Sequence, residues 1–194
     1  QLNYTYNPSA AISEMNIAFG GLVRDNGFTM TCVYNEGNLV RQKIFSFRDS
    51  FTIKDEFGND CFKVFGRILS FGNKLTLTDL LDQELYYIEQ RVFRFLPEYT
   101  IYRNGNPVAT VKKNLTLFRP SFDITSVYGN FNIDGNFWAY DFTVFKNGSP
   151  AAIVSKQWFS FSDTYGVSIS DNEDAAFMLS LVIVLDMVYH NDNR

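Results

Sequence analysis

Hydrophobic and polar residues alternate along much of this chain. In the segment "FSFRDSFTI", the apolar residues Phe45 and Phe47 lie two positions apart, as do Phe51 and Ile53 after a short polar interruption. A period of two residues is typical of a β-strand with one buried and one solvated face. Turn-forming residues recur about every ten positions, a spacing that favours an antiparallel meander over βαβ units.

The alternation belongs to a longer repeat. The segments "KIFSFRDSFTIKDEF", "RILSFGNKLTLTDLL" and "RVFRFLPEYTIYRNG" begin at Lys43, Arg67 and Arg91, each 24 residues after the one before. The apolar residues that keep step are Phe45, Leu69, Phe93 and Leu117; Phe47, Phe71 and Phe95; Phe51, Leu75 and Tyr99; and Ile53, Leu77 and Ile101. A repeat of this length is compatible with a solenoid. Because the units are few and one apolar helix follows them, we predict a closed or nearly closed antiparallel β-barrel instead.

The C-terminal segment "SDNEDAAFMLSLVIVLDMVYH" predicts a helix over about residues 171–190. Ser170 and Glu173 have the spacing of a capping box at its start. The 11 residues from Ala175 to Leu185 carry no charge. They would span about 16 Å of helix, whereas crossing a bilayer takes roughly 20 apolar residues, so a transmembrane span is disfavoured. A helix that is apolar on every side must be buried on every side, and we expect the strands to surround it.

Two segments lie outside the repeat. Residues 121–156 alternate without the longer period and contain the hairpin sequences Asp134-Gly135 and Asn147-Gly148, which predict further strands of the same sheet. Residues 1–39 mix small, polar and glycine residues. We therefore divide the chain into an N-terminal extension, residues 1–39, and one barrel domain, residues 40–194.

Composition supports a β-rich protein that does not bind nucleic acid. The chain has 20 Phe and 11 Tyr in 194 residues, and aromatic residues favour strands. Its net charge of −4 and pI of about 5.0 argue against general nucleic-acid binding. The two cysteines, Cys32 and Cys61, are too few for a disulfide framework and are expected to be buried thiols in a cytosolic protein.

The segments "QKIFSFRDSFTIKDEFGND" and "KQWFSFSDTYGVSI", with the repeat and the apolar helix, resemble the LURP-one-related family, in particular its bacterial and archaeal members. This family belongs to the tubby C-terminal-like superfamily, which also contains the phospholipid scramblases. The resemblance covers about residues 40–190. It implies a closed antiparallel barrel of about 12 strands around a central hydrophobic C-terminal helix, a mainly β fold. Tubby domains bind phosphoinositide headgroups through basic surface residues, so the resemblance also implies phospholipid headgroups as a partner.

Basic residues are concentrated between residues 91 and 119. This segment contains six Lys or Arg residues and one acid, Glu98, so its net charge is +5 in a chain whose total is −4. The six are Arg91, Arg94, Arg103, Lys112, Lys113 and Arg119. On adjacent hairpins they can form one basic surface suited to an anionic lipid headgroup. The alternative is that they are solvated residues that protect sheet edges.

Residues that carry enzyme chemistry are few. His190 is the one histidine in the sequence, which excludes histidine-based triads and multi-histidine metal sites. Six acids are candidates for a calcium or acid–base cluster, although turn and helix-cap positions explain most of them. They are Asp134, Asp141, Asp163, Asp171, Glu173 and Asp174. We predict no catalytic residue, no metal and no cofactor.

The sequence therefore predicts a non-enzymatic binding or scaffold module that is cytoplasmic or peripheral to the membrane. The expected partner is an anionic phospholipid headgroup at the basic segment. The first alternative is a protein–protein interaction module that uses the N-terminal extension or surface aromatics. A carboxylate-based hydrolase is a more distant alternative, and it would require two acids facing one cavity.

Overall fold

The computed structural model describes residues 29–31, 38–43, 51–55, 59–69, 72–116, 120–155 and 164–190. Thirteen strands lie in these ranges, with a 3-10 turn at Phe137–Ala139 and one α-helix, α1, at Ala175–His190. The strands are β1 (Thr29–Thr31), β2 (Asn38–Lys43), β3 (Phe51–Lys54), β4 (Asp60–Leu69), β5 (Gly72–Thr78), β6 (Glu84–Gln90), β7 (Glu98–Arg103), β8 (Asn106–Lys113), β9 (Phe122–Ser126), β10 (Phe131–Asn136), β11 (Asp141–Lys146), β12 (Ser149–Ser155) and β13 (Thr164–Ile169).

The strands form two sheets. The first has the order β1-β3-β4-β5-β6-β7-β8-β9, and the second has the order β10-β11-β12-β13-β2. Neighbouring strands are antiparallel except for β1, which runs parallel to β3. β1 lies within the predicted N-terminal extension, so part of that segment contributes a strand. The prediction of a mainly β domain with a C-terminal helix is confirmed.

The expected closed barrel of about 12 strands is not present as one continuous ladder in the described residues, which form two sheets with 13 strands. The backbone between β9 and β10 explains one break. The amide of Val127 still donates to Val108 of the first sheet at 3.0 Å. Three residues later, the carbonyl of Asn130 accepts from Asn147 of the second sheet at 2.8 Å. The chain therefore leaves one sheet and joins the other. Strand β9 nonetheless lies beside β10, and β1 lies beside β2.

Helix α1 lies between the two sheets. It contacts β6, β7 and β8 of the first sheet and β13 of the second. Every side chain from Ala175 to Tyr189 is buried, which confirms that the helix is enclosed on all sides. The hydroxyl of Ser180 is satisfied inside the helix, donating to the Ala176 carbonyl at 2.8 Å.

The start of the helix differs from the prediction. Helix α1 begins at Ala175 rather than near residue 171, and the Oδ1 atom of Asp174 caps it by accepting from the Phe177 amide at 2.9 Å. The hydroxyl of Ser170 instead donates to the Pro150 carbonyl at 2.9 Å. The predicted Ser170–Glu173 capping box is therefore wrong, because Ser170 is held by the end of the second sheet.

The repeat is confirmed where the structure describes its inward-facing positions. Ile53, Leu77 and Ile101 are fully buried in one core, which also contains the buried residues Leu75 and Tyr99. These residues lie on β3, β5 and β7. The 24-residue spacing thus corresponds to every second strand of the first sheet, whose inner face covers α1.

One of the two predicted hairpin turns is correct. Asn147 and Gly148 join β11 to β12 with φ angles of 51° and 85°, as a type I′ turn requires. Asp134 and Gly135 instead lie inside β10. Gly135 has φ of 125°, and a Cβ there would approach the Asp141 carbonyl oxygen to 2.6 Å. The glycine is needed for close backbone approach within the sheet rather than for a turn.

Candidate functional site

The predicted basic segment centres on the connection between β6 and β7, residues 91–97, which we call the 91–97 loop. Four successive contacts place it at the end of the molecule where α1 ends. The ring of Tyr189, near the end of α1, lies 5.5 Å from that of Phe137, and the rings of Phe137 and Phe122 lie 5.0 Å apart. Phe122 is the partner of Lys113 across β8 and β9. The Lys113 amide donates to the Pro97 carbonyl of the loop at 3.1 Å. We call this end the α1 C-terminal end.

Glu98, the first residue of β7, holds the base of the 91–97 loop. Its carbonyl accepts from the Arg91 amide at 2.8 Å, which closes the loop. Its largely buried carboxylate lies 3.3 Å from the Nε atom of Arg91 and 3.5 Å from that of Arg94. Arg91 Nε also lies 3.3 Å from the Thr100 hydroxyl, to which it donates. Both arginine side chains are about half exposed (48% and 53%) and remain available at the surface.

Two lysines at the end of β8 extend this positive surface. Lys112 lies opposite Glu98 on one side and Asp123 on the other, and it is exposed. Lys113 follows it and is half-buried, and this burial lowers the pKa of its ammonium group. Around the loop, the two lysines and two arginines face two carboxylates, so the surface keeps a surplus of positive charge.

The structure separates Arg103 from the other basic residues. Arg103 ends β7, five residues after Glu98, which is about 17 Å at ~3.4 Å per residue. At that far end its guanidinium lies 3.3 Å from Asp174 and 5.3 Å from the centre of the Tyr86 ring. The expected single surface of six residues is thus divided. Four lie together, Arg103 lies elsewhere, and Arg119 falls outside the described residues.

The 91–97 loop also exposes large apolar side chains. Phe93 and Phe95 are 93% and 94% exposed, and Val92 is partly exposed. Leu115, just beyond β8 at the same end, is 80% exposed. Single exposed apolar residues are ordinary, but a group of this kind beside a positive surface is typical of an interaction site.

These exposed rings are the feature of the candidate site that the sequence pattern did not indicate. Phe93 and Phe95 keep the phase of the repeat, which predicts that they belong to the buried wall. Their counterparts Phe45, Phe47 and Phe71 fall outside the described residues. The chain leaves the sheet between β6 and β7, so the alternation of strand residues no longer determines which way side chains face. One local indication was available in "RVFRFLP", where basic residues interleave with aromatic ones.

The opposite end of the molecule, the α1 N-terminal end, holds a cluster of polar groups that fixes the helix. The Tyr86 hydroxyl donates to Asp174 Oδ2 at 2.9 Å and lies 3.5 Å from the Tyr128 hydroxyl. Burial is the main cause that raises the pKa of the Tyr86 hydroxyl, followed by its hydrogen bonds to these two neighbours. Lys146 pairs with Glu173 at 2.7 Å. The cluster joins both sheets to the start of α1.

The acids considered for catalysis have structural contacts or are dispersed. Glu173 and Asp174 belong to the cluster just described, and Asp171 is exposed in the turn before α1. Asp134 and Asp141 lie on β10 and β11, whereas Asp163 lies outside the described residues. Within the described ranges, no three metal-ligating side chains come together. The side chain of His190 is not among those described.

The fold and this surface define a class: a mainly β domain whose two sheets enclose an apolar C-terminal helix. The LURP-one-related family model matches residues 39–186, and the chain therefore belongs to the LURP-one-related family. The chain is 39% identical over 153 residues to the uncharacterized protein YxjI of Bacillus subtilis (strain 168), covering 79% of this chain and 93% of that protein. The predicted family and its bacterial character are confirmed.

A solved structure has the same fold. An Arabidopsis thaliana protein determined by X-ray crystallography superposes with a TM-score of 0.57 at 21% identity, covering 82% of this chain and 94% of that one. At this identity the likeness shows the fold alone. In the part of the chain that is described, α1 is too short to qualify as a membrane-crossing helix, and there is no other helix that qualifies.

Proposed function

We propose that this protein is a non-enzymatic module that associates peripherally with anionic phospholipid surfaces through its α1 C-terminal end. The observation that carries the proposal is the group of four cations around one projecting loop: Arg91, Arg94, Lys112 and Lys113. Their chemistry suits phosphate and carboxylate groups of lipid headgroups. The resemblance to tubby-like proteins leads to the same expectation.

Charge alone would make this association weak. A basic residue near an anionic bilayer contributes about 1 kcal/mol, and salt screens the contribution. Glu98 and Asp123 offset part of the positive charge of the four cations. The surplus corresponds to about 2 kcal/mol, which is a marginal affinity. Membrane association therefore needs a second contribution.

The contacts of the acids support a non-enzymatic role. A general acid or base must reach a substrate, usually in a cleft. Asp174 is committed to capping α1 and to Tyr86, and Glu173 is committed to Lys146. Their contacts stabilise the join between helix and sheets, which is a structural function.

We also propose that the two sheets act as one wall around α1, close to the barrel that the repeat predicts. Two features support this. The sheets approach each other at β9 and β10 and again at β1 and β2, and α1 contacts strands of both sheets. The two ends of this enclosed structure carry different surfaces, so binding can be confined to one end.

Co-sedimentation with vesicles tests the lipid proposal. The protein is mixed with vesicles of phosphatidylcholine alone and of phosphatidylcholine with increasing phosphatidylserine, at low and at high salt. We expect the bound fraction to rise with phosphatidylserine and to fall with salt. Binding that is absent, or that ignores lipid charge, would contradict the proposal. If a concentration-dependent oligomer forms on size exclusion instead, the protein-interaction alternative is favoured.

A further inference from the structure

We propose that the 91–97 loop is a membrane-insertion loop, whose Phe93 and Phe95 rings enter the interfacial layer of an anionic bilayer. This inference rests on the proposed membrane association and adds the part of the protein that penetrates. The positive residues bring the loop to the surface, and the rings then leave water. Together they supply the second contribution that charge alone lacks.

The exposure of the two rings to water is the first observation that supports insertion. Phe93 and Phe95 are over nine-tenths exposed, although other aromatic residues such as Tyr86 and Tyr99 are fully buried in the core. The interfacial region of a bilayer favours apolar and aromatic side chains next to basic ones. Burying one such ring strengthens binding by about tenfold or more. Leu115, exposed at the same end, enlarges the apolar surface.

The backbone conformation of the loop is the second observation that supports insertion. Phe93 has φ of 61°, in the left-handed region that bulky residues rarely adopt. Asn or Gly would suit this position better for folding alone. Strained conformations of this kind are concentrated at functional sites. An aromatic ring at a strained, solvated position does not help the chain to fold, which indicates a role in binding.

Charge decides which end of the molecule meets the bilayer. Leu80 and Leu81 are also exposed, in the β5–β6 hairpin. This hairpin lies between Asp79 and Asp82 and precedes Glu84, so an anionic surface repels it. Lys63 pairs with Asp82 at 2.7 Å, but the three acids outnumber this lysine, so Leu80 and Leu81 are a natural internal comparison for the rings of the 91–97 loop.

The hairpin also lies at the other end of the first sheet. Thr78, at the end of β5, pairs with Glu84 at the start of β6, whereas Gln90 ends β6 just before the loop. The two apolar groups are thus separated by the length of β6. Insertion of the 91–97 loop therefore implies a defined orientation of the protein, with its α1 C-terminal end toward the bilayer.

Tryptophan fluorescence with brominated lipids tests the insertion. Phe95→Trp places a reporter in the loop, and Leu81→Trp places the matched reporter on the acidic hairpin, where the side chain is 89% exposed. Unsubstituted protein supplies the background of Trp138 and Trp158. Each protein is measured on phosphatidylserine-containing vesicles with and without bromine in the acyl chains, and its bound fraction is recorded by co-sedimentation.

We expect bromine to quench the Phe95→Trp emission, with a blue shift on binding, while Leu81→Trp stays at the background level. Bound Phe95→Trp protein without quenching would overturn the insertion and leave charge-based association intact. Equal quenching of both reporters would overturn the defined orientation. Failure of unsubstituted protein to bind vesicles at any phosphatidylserine content would overturn both proposals.

A second pair of variants measures the contribution of the rings. Phe93→Ser with Phe95→Ser should lower the vesicle partition coefficient by about 100-fold or more, because both rings are lost and each contributes about tenfold. The thermal midpoint should stay unchanged, because neither ring packs in the core. Leu80→Ser with Leu81→Ser should leave partition unchanged. Equal partition of the two double variants would contradict insertion by this loop.

Discussion

At the scale of single residues, Phe93 combines an aromatic ring in water with a left-handed backbone. Its side chain is 93% exposed and its φ is 61°. An L-residue in this region costs about 1 kcal/mol, and Asn tolerates it better than Phe. Stability and membrane binding therefore make opposite demands on this position.

Phe93→Asn should raise the free energy of unfolding by up to about 1 kcal/mol and weaken vesicle binding by about tenfold. Urea unfolding and co-sedimentation measure the two effects. The control is Phe95→Asn, because Phe95 is equally exposed but is not in the left-handed region. That variant should lose binding without gaining stability. If Phe93→Asn lowers stability, the conformation of residue 93 is not strained as described.

Asp186 is a carboxyl group inside the core. Burial raises its pKa well above the usual range. The folded state then keeps a proton that the unfolded chain releases above about pH 4. Stability therefore falls as pH rises from that value toward the raised pKa of the folded protein.

Asp186→Asn should remove this pH dependence, because the amide has nearly the same shape and does not ionise. We expect the variant to be more stable than the unsubstituted protein at pH 7, and the difference to shrink as pH approaches 4. Urea unfolding at both pH values measures it. A difference that is constant with pH, or larger at pH 4, would contradict the raised pKa.

At the scale of elements, helix α1 is the centre around which the sheets pack. Its core residues Phe177, Leu179, Leu181 and Val184 are all at most 1% exposed. The strands contribute inward residues to the same cluster. A helix without a polar face is not stable when it is exposed to water. The helix is therefore expected to become buried as the sheets fold around it.

Leu181→Asp should abolish folding, because a carboxylate in this fully buried position would be desolvated inside an apolar core. The cost of several kcal/mol is comparable to the ~5–15 kcal/mol that holds a domain folded. Leu81→Asp introduces the same change at an exposed position and should fold normally. Circular dichroism and soluble yield distinguish the two. A folded Leu181→Asp protein would contradict the enclosed helix.

The elements also show what the sequence could and could not predict. The spacing of Ile53, Leu77 and Ile101 correctly predicts buried strand positions, since alternation within a sheet is a local property. The same 24-residue spacing wrongly predicts that Phe93 and Phe95 are buried, because the chain leaves the sheet there. The location of Ser170 beside Pro150 likewise depends on tertiary packing. Local pattern predicts the strands and helix, but not where a strand ends or which segment projects.

At the scale of the whole molecule, the two ends differ in charge. The α1 C-terminal end combines Arg94 and Lys112 with exposed rings, whereas the other end includes the acidic β5–β6 hairpin. The sequence grouped Arg103 with the basic residues of this end, whereas the structure places it at the opposite end of β7, because sequence distance does not show the ends of a strand. A molecule polarised in this way binds a charged surface in one orientation.

Two charge-matched double variants test this polarity most directly, by their partition onto phosphatidylserine-containing vesicles. Arg94→Gln with Lys112→Gln removes two charges at the α1 C-terminal end. Lys54→Gln with Lys63→Gln removes two charges elsewhere. These lysines are salt-bridged to Asp60 and Asp82, as Arg94 is to Glu98.

At about 1 kcal/mol per charge near the bilayer, we expect the first pair to bind roughly 30-fold more weakly than the unsubstituted protein. The second pair should bind within about twofold of it, because its charges stay far from the membrane beyond the screening length. Equal losses in the two pairs, or no loss in the first, would contradict membrane binding through the α1 C-terminal end.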